Sequence, residues 1–211
     1  MFITFEGIDG CGKSTHTKLL SDFLNQKGYK TLILREPGGT DFSEKIREIL
    51  LTSDFNLNPE IELLLFEAAR SHLTQNVIQK ELESGTAVIS DRYFDSTTAY
   101  QGYGRGINID LIKICNYLAT KGIKPDITFY LDLEIEEALS RSKDRILDNI
   151  EKSGNNFFEK VVEGYKKIAD EEPERVIIIN ANGTIEETYN QIIAHINKKF
   201  FSNTSSNNNE K

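Results

Sequence analysis

The sequence contains few of the residues that mark secreted, metal-stapled or membrane proteins. Its 211 residues include two cysteines, Cys11 and Cys115, one methionine and no tryptophan. Two cysteines without paired spacing support neither a disulfide framework nor a cysteine metal cluster, and this is typical of a reducing compartment. No apolar run reaches the ~18 residues of a membrane helix, and no secretory signal pattern opens the chain. These features predict a cytoplasmic protein without a membrane span.

Positive charge is also in short supply. The chain has 25 Lys and Arg against 33 Asp and Glu, a formal net charge of -8. Such a field repels a polynucleotide backbone, so we expect no nucleic acid polymer as a partner. A length of 211 residues with 38% apolar residues fits one hydrophobic core. We therefore expect a single domain over residues 1–201, followed by a disordered polar tail at 202–211 that has no apolar residue to bury.

Short apolar segments rich in β-formers alternate with segments of helical length and period. This alternation predicts parallel strands joined by helical crossovers, and near-continuous apolar strands require a sheet covered on both faces. The predicted fold is α/β, a three-layer α/β/α sandwich with a five-stranded parallel sheet. We expect strands at 2–6, 31–34, 86–90, 127–131 and 175–179, and helices at 13–27, 43–52, 59–84, 108–121, 134–143, 155–171 and 184–200.

A glycine-rich motif lies between the first predicted strand and the helix after it. Its spacing, Gly7-x4-Gly12-Lys13-Ser14, is that of a phosphate-binding loop. Glycines let backbone amides converge on an anion, and the helix N-terminus adds partial positive charge. Lys13 would reach the β and γ phosphates and Ser14 would bind Mg²⁺, so the motif predicts ATP and Mg²⁺ as cofactors. The predicted ATP-binding residues are Gly7, Ile8, Asp9, Gly10, Cys11, Gly12, Lys13, Ser14 and Thr15.

A dinucleotide-binding fingerprint is the alternative for the same stretch. Gly10-x-Gly12-x-x-Thr15 approximates it, and an acid, Glu36, lies near the end of the second strand. The third glycine is missing and Lys13 has no role in that interpretation. The phosphate loop is therefore the favoured hypothesis.

Charged residues follow two other strands, where open α/β sheets bind their ligands. Asp91 and Arg92 follow the third strand, and Arg35 and Glu36 follow the second. Asp91 would serve Mg²⁺, and the planar fork of Arg92 would clamp a phosphate. The alternative is a buried Asp91 satisfied by loop amides beside an exposed Arg92, with Arg35 and Glu36 in a plain connection.

Phe66 and Arg70 lie four residues apart on one face of the third predicted helix. A ring beside a guanidinium suits a planar base, by stacking and hydrogen bonding. A core phenylalanine with a snorkelling arginine is the ordinary alternative.

Five stretches together resemble the bacterial thymidylate kinase family: FEGIDGCGKST, REPGGT, FEAAR, DRY followed by STTAYQGYGRG, and PDITFYLDL. They occur in the family's order over residues 5–133, and the remaining chain has a compatible length. The resemblance implies a P-loop kinase architecture and transfer of the γ-phosphoryl group of MgATP to dTMP, giving ADP and dTDP in dTTP synthesis. It also implies a homodimer packed through helices.

The resemblance implies roles for residues around the acceptor base. Phe66 would stack on thymine and Arg70 would bond its edge. Thr97 and Gln101 would line the base, and Tyr100 would crowd the sugar 2′ position against ribonucleotides.

It also implies roles around the acceptor's sugar and phosphate. Asp9 would hold the deoxyribose 3′-hydroxyl, Arg35 and Glu36 would lie beside the acceptor phosphate, and Arg92 would hold that phosphate.

The family resemblance further implies a mobile lid. Some members carry an arginine in the phosphate loop where this chain has Gly10, and the other type carries arginines on the lid, here Arg141 and Arg145 within about 141–154. The chain departs from many relatives at Asn149, where they have an arginine. A solvated helix face with Glu137 paired to Arg141 is the alternative. The resulting catalytic set is Lys13, Asp91, Arg92, Arg141 and Arg145.

Two rival functions remain open at this point. One is a kinase for another nucleoside monophosphate or for a nucleoside. The other is a nucleotide-dependent switch, although the chain has no guanine-reading Asn-Lys-x-Asp sequence.

Overall fold

One parallel sheet organises the molecule. The structure is a computed structural model that describes residues 1–52, 54–141, 149–150 and 154–202. Over these residues the sheet has the strand order β2-β3-β1-β4-β5. Its strands are β1 Phe2–Glu6, β2 Thr31–Arg35, β3 Ala87–Asp91, β4 Ile127–Asp132 and β5 Val176–Asn180.

Helices cover both faces of this sheet. In the described residues they are α1 Lys13–Gln26, α2 Asp41–Thr52, α3 Pro59–Leu73, α4 Gln79–Glu83, α5 Phe94–Thr97, α6 Ile109–Thr120, α7 Ile135–Arg141, α8 Asn155–Glu171 and α9 Ile185–Ile196. The predicted three-layer fold with a five-stranded parallel sheet is confirmed. Among the same residues, no helix combines the length and the apolarity needed to cross a membrane.

The strand register brings the functional ends of three strands together. Phe5 of β1 pairs with Asp91 of β3, and Asp91 pairs in turn with Arg35 of β2. All these pairs are parallel, so the carboxyl ends of β1, β2 and β3 meet at one edge. The residues of the central strand β1 are all buried, as expected for a strand covered on both faces.

Local sequence signals set the starts of several helices. Asn58 caps α3 by accepting a hydrogen bond from the amide of Ile61 at 2.9 Å, and Pro59 occupies its first turn. Thr184 and Glu187 form a reciprocal capping box at the start of α9. These caps lie within one or two residues of the predicted starts.

Residues 94–104 are helical, although the sequence patterns gave no helix there. α5 continues into a π-helical segment over Thr98–Gly104. Two glycines concealed it, Gly102 and Gly104, and they allow close packing, on Ile109 of α6 and on Phe157 of α8 respectively, rather than breaking the helix. A Cβ on Gly104 would lie 2.6 Å from the Phe157 ring, and one on Gly164 would lie 2.7 Å from the Tyr103 ring. The helix therefore depends on tertiary contact.

Smaller differences concern the helix ends. The predicted helix 59–84 is divided by a π turn at Thr74–Ile78, and the one predicted to end at 200 becomes π-helical over Asn197–Phe201. Most of the predicted lid (142–148 and 151–153) and residues 203–211 of the predicted tail lie outside the described residues. The lid and the disordered tail stay predictions.

A buried ion pair joins α5 to the β4–β5 side of the sheet. Arg175 donates to both carboxylate oxygens of Asp95, at 2.7 and 2.8 Å, and also to Thr128 Oγ1 at 2.8 Å. Both charged side chains are at least nine-tenths buried. A desolvated carboxylate of this kind depends on its partner, because removal of the arginine leaves a buried charge without compensation.

We therefore predict that Arg175→Met lowers the free energy of unfolding by about 3–5 kcal/mol, measured by urea denaturation. The control is Lys113→Met, which removes the exposed pair between Lys113 and Glu171. Because water screens exposed pairs, this control should cost less than about 1 kcal/mol. Equal losses in the two variants would show that burial of the Arg175 pair does not matter.

Candidate active site

The phosphate loop connects β1 to α1 through three glycines that the geometry requires. Gly7, Gly10 and Gly12 have φ angles of 133°, 86° and 98°, a region that side chains disfavour. A Cβ on Gly7 would lie 2.8 Å from the carbonyl oxygen of Leu131, and one on Gly10 would lie 2.6 Å from that of Ala138. The loop is thus pressed against β4 and α7, and no side chain fits at position 10 in this arrangement.

Lys13 lies beneath this loop. Its ammonium donates to the carbonyl oxygens of Gly7 at 3.1 Å and Ile8 at 3.0 Å, and it lies 3.5 Å from the Asp9 carboxylate. Cys11 is buried beside it, and burial raises the pKa of its thiol. The side chains of Ile8 and Cys11 pack in the core, so these two loop residues have only their backbone to offer to a ligand.

The two predicted metal ligands come together in the structure. Ser14 Oγ donates to Asp91 Oδ2 at 2.9 Å, across the junction between α1 and the end of β3. Among the described residues, no group of three or more His, Cys, Asp or Glu side chains is arranged to hold a metal ion. A hydroxyl oxygen and a carboxylate oxygen thus meet at this position.

A pocket of about 570 Å³, its open mouth included, lies beside the loop. It includes seven of the nine residues that the sequence placed around the acceptor; Arg35 and Arg70 are the two that do not line it. The lining residues are Asp9, Glu36, Pro37, Arg47, Leu51, Phe66, Arg92, Ser96, Thr97, Tyr100, Gln101 and Ile150.

Arg92 forms the part of the pocket wall nearest the phosphate loop. Its guanidinium donates to Asp9 Oδ1 at 3.0 Å, Ser96 Oγ at 3.0 Å, and the Tyr100 and Tyr165 hydroxyls at 3.2 and 3.4 Å. Its φ of 75° is unusual for a residue with a side chain and costs on the order of 1 kcal/mol. This conformation turns the arginine from the strand end into the pocket.

Glu6 anchors the residues that hold Arg92, and sequence reasoning missed it. Oε1 accepts from the Tyr93 amide at 2.7 Å, and Oε2 accepts from Ser96 Oγ at 2.5 Å and the Tyr165 hydroxyl at 2.9 Å. Burial, followed by the nearby Asp95 carboxylate, raises the pKa of Glu6 to about 7. A charged residue in a short strand with no other charge was the available signal.

Arg70 lies behind the pocket and is almost fully buried. Nε donates to Glu36 Oε2 at 2.7 Å, Nη1 donates to Glu67 Oε1 at 2.5 Å and Thr97 Oγ1 at 2.8 Å, and Nη2 donates to the Tyr93 carbonyl at 3.1 Å. These bonds use four of the five N–H groups of an arginine. Glu36 and Thr97, which line the pocket, are thus held from behind.

Arg35 lies away from the pocket, and another arginine takes a place in its wall. The Arg35 guanidinium pairs with Glu44 at 3.0 Å on the exposed surface. Arg47 of α2 lines the pocket and donates to the Pro37 carbonyl at 2.9 Å. Sequence reasoning missed Arg47, whose place on the half-buried face of α2 beside Ile46 was the usable signal.

The predicted lid residues are described only in part. Arg141 pairs with Glu137 at 2.9 Å, as in the solvated-face alternative, and also donates to the Gly10 carbonyl at 3.4 Å. Arg145 lies outside the described residues. The backbone N–H of Asn149 donates to the Leu51 carbonyl at 3.3 Å, and Ile150 lines the pocket. The described part of the segment therefore contacts both the loop and the pocket.

Comparison with known proteins places this arrangement in a family. The family model described as thymidylate kinase matches residues 5–192. A thymidylate kinase of Pelodictyon phaeoclathratiforme is 49% identical over 210 residues, covering 95% of this chain and 97% of that protein. One of Chlorobaculum parvum is 48% identical over 204 residues, covering 92% and 94%.

This chain belongs to the thymidylate kinase family. A solved structure agrees with the sequence comparison: the crystal structure of the thymidylate kinase from Ehrlichia chaffeensis superposes with a TM-score of 0.77 at 36% identity, covering 93% of this chain and 97% of that one. Thymidylate kinases are nucleotide kinases that use ATP as the phosphate donor.

The raised pKa of Glu6 gives a testable dependence of stability on pH. The folded state holds this proton more tightly than the unfolded chain, whose value is near 4.5. The stabilisation is therefore complete below about pH 4.5 and is lost as the pH rises through about 7. Glu6→Gln mimics the protonated carboxyl group and does not titrate. Between about pH 5 and pH 8 the free energy of unfolding of Glu6→Gln should fall less than that of the wild type, and the difference between the two falls should reach up to ~3 kcal/mol.

The measurement is urea denaturation of both proteins across that pH range. Glu36 has a pKa raised to about 7, chiefly by burial, and remains in both proteins, so the burial effect on Glu36 is common to both; the smaller effect of the Glu6 charge on Glu36 is removed together with Glu6. Parallel stability curves for wild type and Glu6→Gln would show that Glu6 does not titrate between these limits.

Proposed function

We propose that this protein transfers the γ-phosphoryl group of MgATP to dTMP, giving ADP and dTDP for dTTP synthesis. One observation carries the proposal: the Asp9–Arg92 contact of 3.0 Å joins the phosphate loop directly to the pocket wall. A donor phosphate in the loop and an acceptor phosphate at Arg92 would thus meet at one point. Phosphoryl transfer depends chiefly on such positioning and on neutralisation of charge.

The donor would bind over residues 7–15. The loop amides and the N-terminus of α1 would hold its phosphates, and Lys13 would supply positive charge. The paired oxygens of Ser14 and Asp91 are hard ligands that fit Mg²⁺, which would neutralise charge on the donor phosphates when bound.

The acceptor would occupy the pocket. Arg92 would hold its phosphate, with Arg47 as a second cation on the wall. Asp9 would bind the 3′-hydroxyl, and the buried Tyr100 would crowd the 2′ position. Because a phosphate monoester is already an anion, it needs no strong general base to attack.

The base would lie between Phe66 and the helical stretch that carries Thr97 and Gln101. Phe66 would stack on the ring, as aromatic side chains do with bases. Arg70 would bond the base edge with its fifth N–H group, while its other bonds hold Glu36 and Thr97 from behind.

The lid, the homodimer and the cytoplasmic location belong to the same proposal. Arg141 contacts the phosphate loop, which supports a lid over about 141–154. In this proposal Arg141 and Arg145 would supply positive charge to the transferred group. A dimer through helices is supported by large apolar side chains exposed on α3 and α6, namely Leu64, Ile114 and Leu118.

The acceptor preference tests the proposal directly. ADP release is measured with ATP and, in turn, dTMP, dUMP, dGMP, dCMP, dAMP and thymidine. We expect dTMP to have the highest kcat/KM. A better acceptor elsewhere in this panel would refute the substrate assignment.

Stacking on Phe66 gives a second prediction. Phe66→Ala should weaken dTMP binding by roughly 10- to 100-fold, because stacking of a base on an aromatic ring contributes about 1–3 kcal/mol. Calorimetric titration of dTMP into both proteins measures the change. Phe42→Ala is the matched control, since Phe42 packs on His72 outside the pocket lining. Unchanged affinity in Phe66→Ala would remove Phe66 from the site.

A further inference from the structure

Two neutral side chains face the pocket from one side. Thr97 and Gln101 are four residues apart in the stretch formed by α5 and the π-helical segment, and both are almost fully buried. A hydroxyl and an amide can each donate or accept a hydrogen bond. Whether each side chain presents a donor or an acceptor to a ligand is therefore decided by its hydrogen-bond partner within the protein.

The partner of Gln101 is a carboxylate. Gln101 Nε2 donates to Glu62 Oε1 at 2.7 Å, and Glu62 on α3 is largely buried. Arg105 fixes the same carboxylate, with Nε 3.2 Å from Oε1 and Nη2 3.0 Å from Oε2. Because a carboxylate only accepts, the amide nitrogen must face Glu62, and the amide oxygen is left to face the other way. At Gln101 the group available to a ligand in the pocket is therefore the amide oxygen, an acceptor.

The partner of Thr97 has the opposite character. Arg70 Nη1 donates to Thr97 Oγ1 at 2.8 Å. A guanidinium only donates, so the Thr97 hydroxyl keeps its own hydrogen for an acceptor on the pocket side. One buried anion and one buried cation therefore orient two neutral groups in opposite senses.

We infer that Glu62 is a positioning residue for base specificity, which orients the Gln101 amide so that the pocket reads the imide edge of thymine or uracil. This edge pairs an N3–H donor with the O4 acceptor, the complement of the Gln101 oxygen and the Thr97 hydroxyl. Cytosine has the reverse pattern, an N3 acceptor beside an amino donor. The inference rests on the proposed function, since it takes the base to lie in this pocket.

Rejection of cytosine would follow from the fixed amide. To pair with cytosine N3, Gln101 would have to turn its nitrogen into the pocket and place its oxygen against Glu62 Oε1. Two acceptors would then face each other at a separation that is now a 2.7 Å hydrogen bond. Sites that are built around a specific hydrogen bond reject analogues that cannot form it by large factors, up to about 10⁴–10⁵.

The first test uses the wild-type enzyme with dUMP and dCMP. This pair differs only at the N3 and C4 edge and lacks the 5-methyl group in both members. We expect kcat/KM to be at least ~100-fold higher for dUMP. Similar values for dUMP and dCMP, with dTMP still the best acceptor, would overturn this inference alone. Failure to phosphorylate dTMP would instead overturn the proposed function.

The second test uses Glu62→Gln, whose neutral side chain can either donate or accept and so releases the Gln101 amide. The dUMP/dCMP ratio of kcat/KM should fall at least ~10-fold, through a lower KM for dCMP and a higher KM for dUMP. Arg105→Met is the matched control, because it removes the Glu62–Arg105 pair and keeps the carboxylate at Gln101. It should retain the wild-type ratio even if thermal denaturation shows lower stability. An unchanged ratio in Glu62→Gln, or an equal fall in Arg105→Met, would refute the positioning role.

Discussion

The pairing of β1 with β3 is the constraint on which the site depends. The register that sets Phe5 beside Asp91 fixes where both strands end. The phosphate loop leaves β1 at that point, and Arg92 leaves β3 beside it, with its amide bonded to the Phe5 carbonyl at 2.9 Å. Ser14 reaches Asp91 and Asp9 reaches Arg92 because both strands stop at the same level. A shift of one residue would turn these side chains to the other face of the sheet.

Buried charge surrounds this edge to an extent that stability alone does not explain. Burial of ionic groups carries a desolvation cost that ion pairing often fails to exceed. Yet Glu6 holds the hydroxyl groups around Arg92, Arg70 holds Glu36 and Thr97, and Glu62 holds Gln101. In each case a buried charged side chain that does not line the pocket orients a group that does. Glu36 Oε1 and Glu67 Oε2 are buried without a hydrogen-bond partner among the described atoms. These two carboxylate oxygens therefore carry a desolvation cost that no hydrogen bond offsets.

The sequence predicted what periodicity and spacing can encode. Apolar runs located the five strands, and the glycine spacing located the loop, because both signals are local. The family resemblance located most of the pocket lining. Glu6 and Tyr165 were missed because they act through residues 69 to 159 positions away along the chain. Arg47 was missed because it belongs to no motif and reaches the pocket wall only once α2 has packed. Arg35 follows a strand end, as a phosphate ligand should, but in the structure it pairs with Glu44 on the surface. Glu44 belongs to no motif, so the sequence did not indicate this pair. The helix over residues 94–104 was missed because its glycines act in packing that only the folded chain reveals.

The packing of α7 on the phosphate loop connects two features that the sequence presents separately. The carbonyl oxygen of Ala138 lies 2.6 Å from the position that a Cβ on Gly10 would take, so the loop has no room for an arginine there. The same helix carries Arg141 one turn further on, and its guanidinium reaches the Gly10 carbonyl at 3.4 Å. Only glycine at position 10 lets α7 pack this closely on the phosphate loop, and this packing places the Arg141 guanidinium beside the loop. A side chain at position 10 would displace α7 and Arg141 with it, which is why the loop glycine and the arginine on α7 belong to one arrangement.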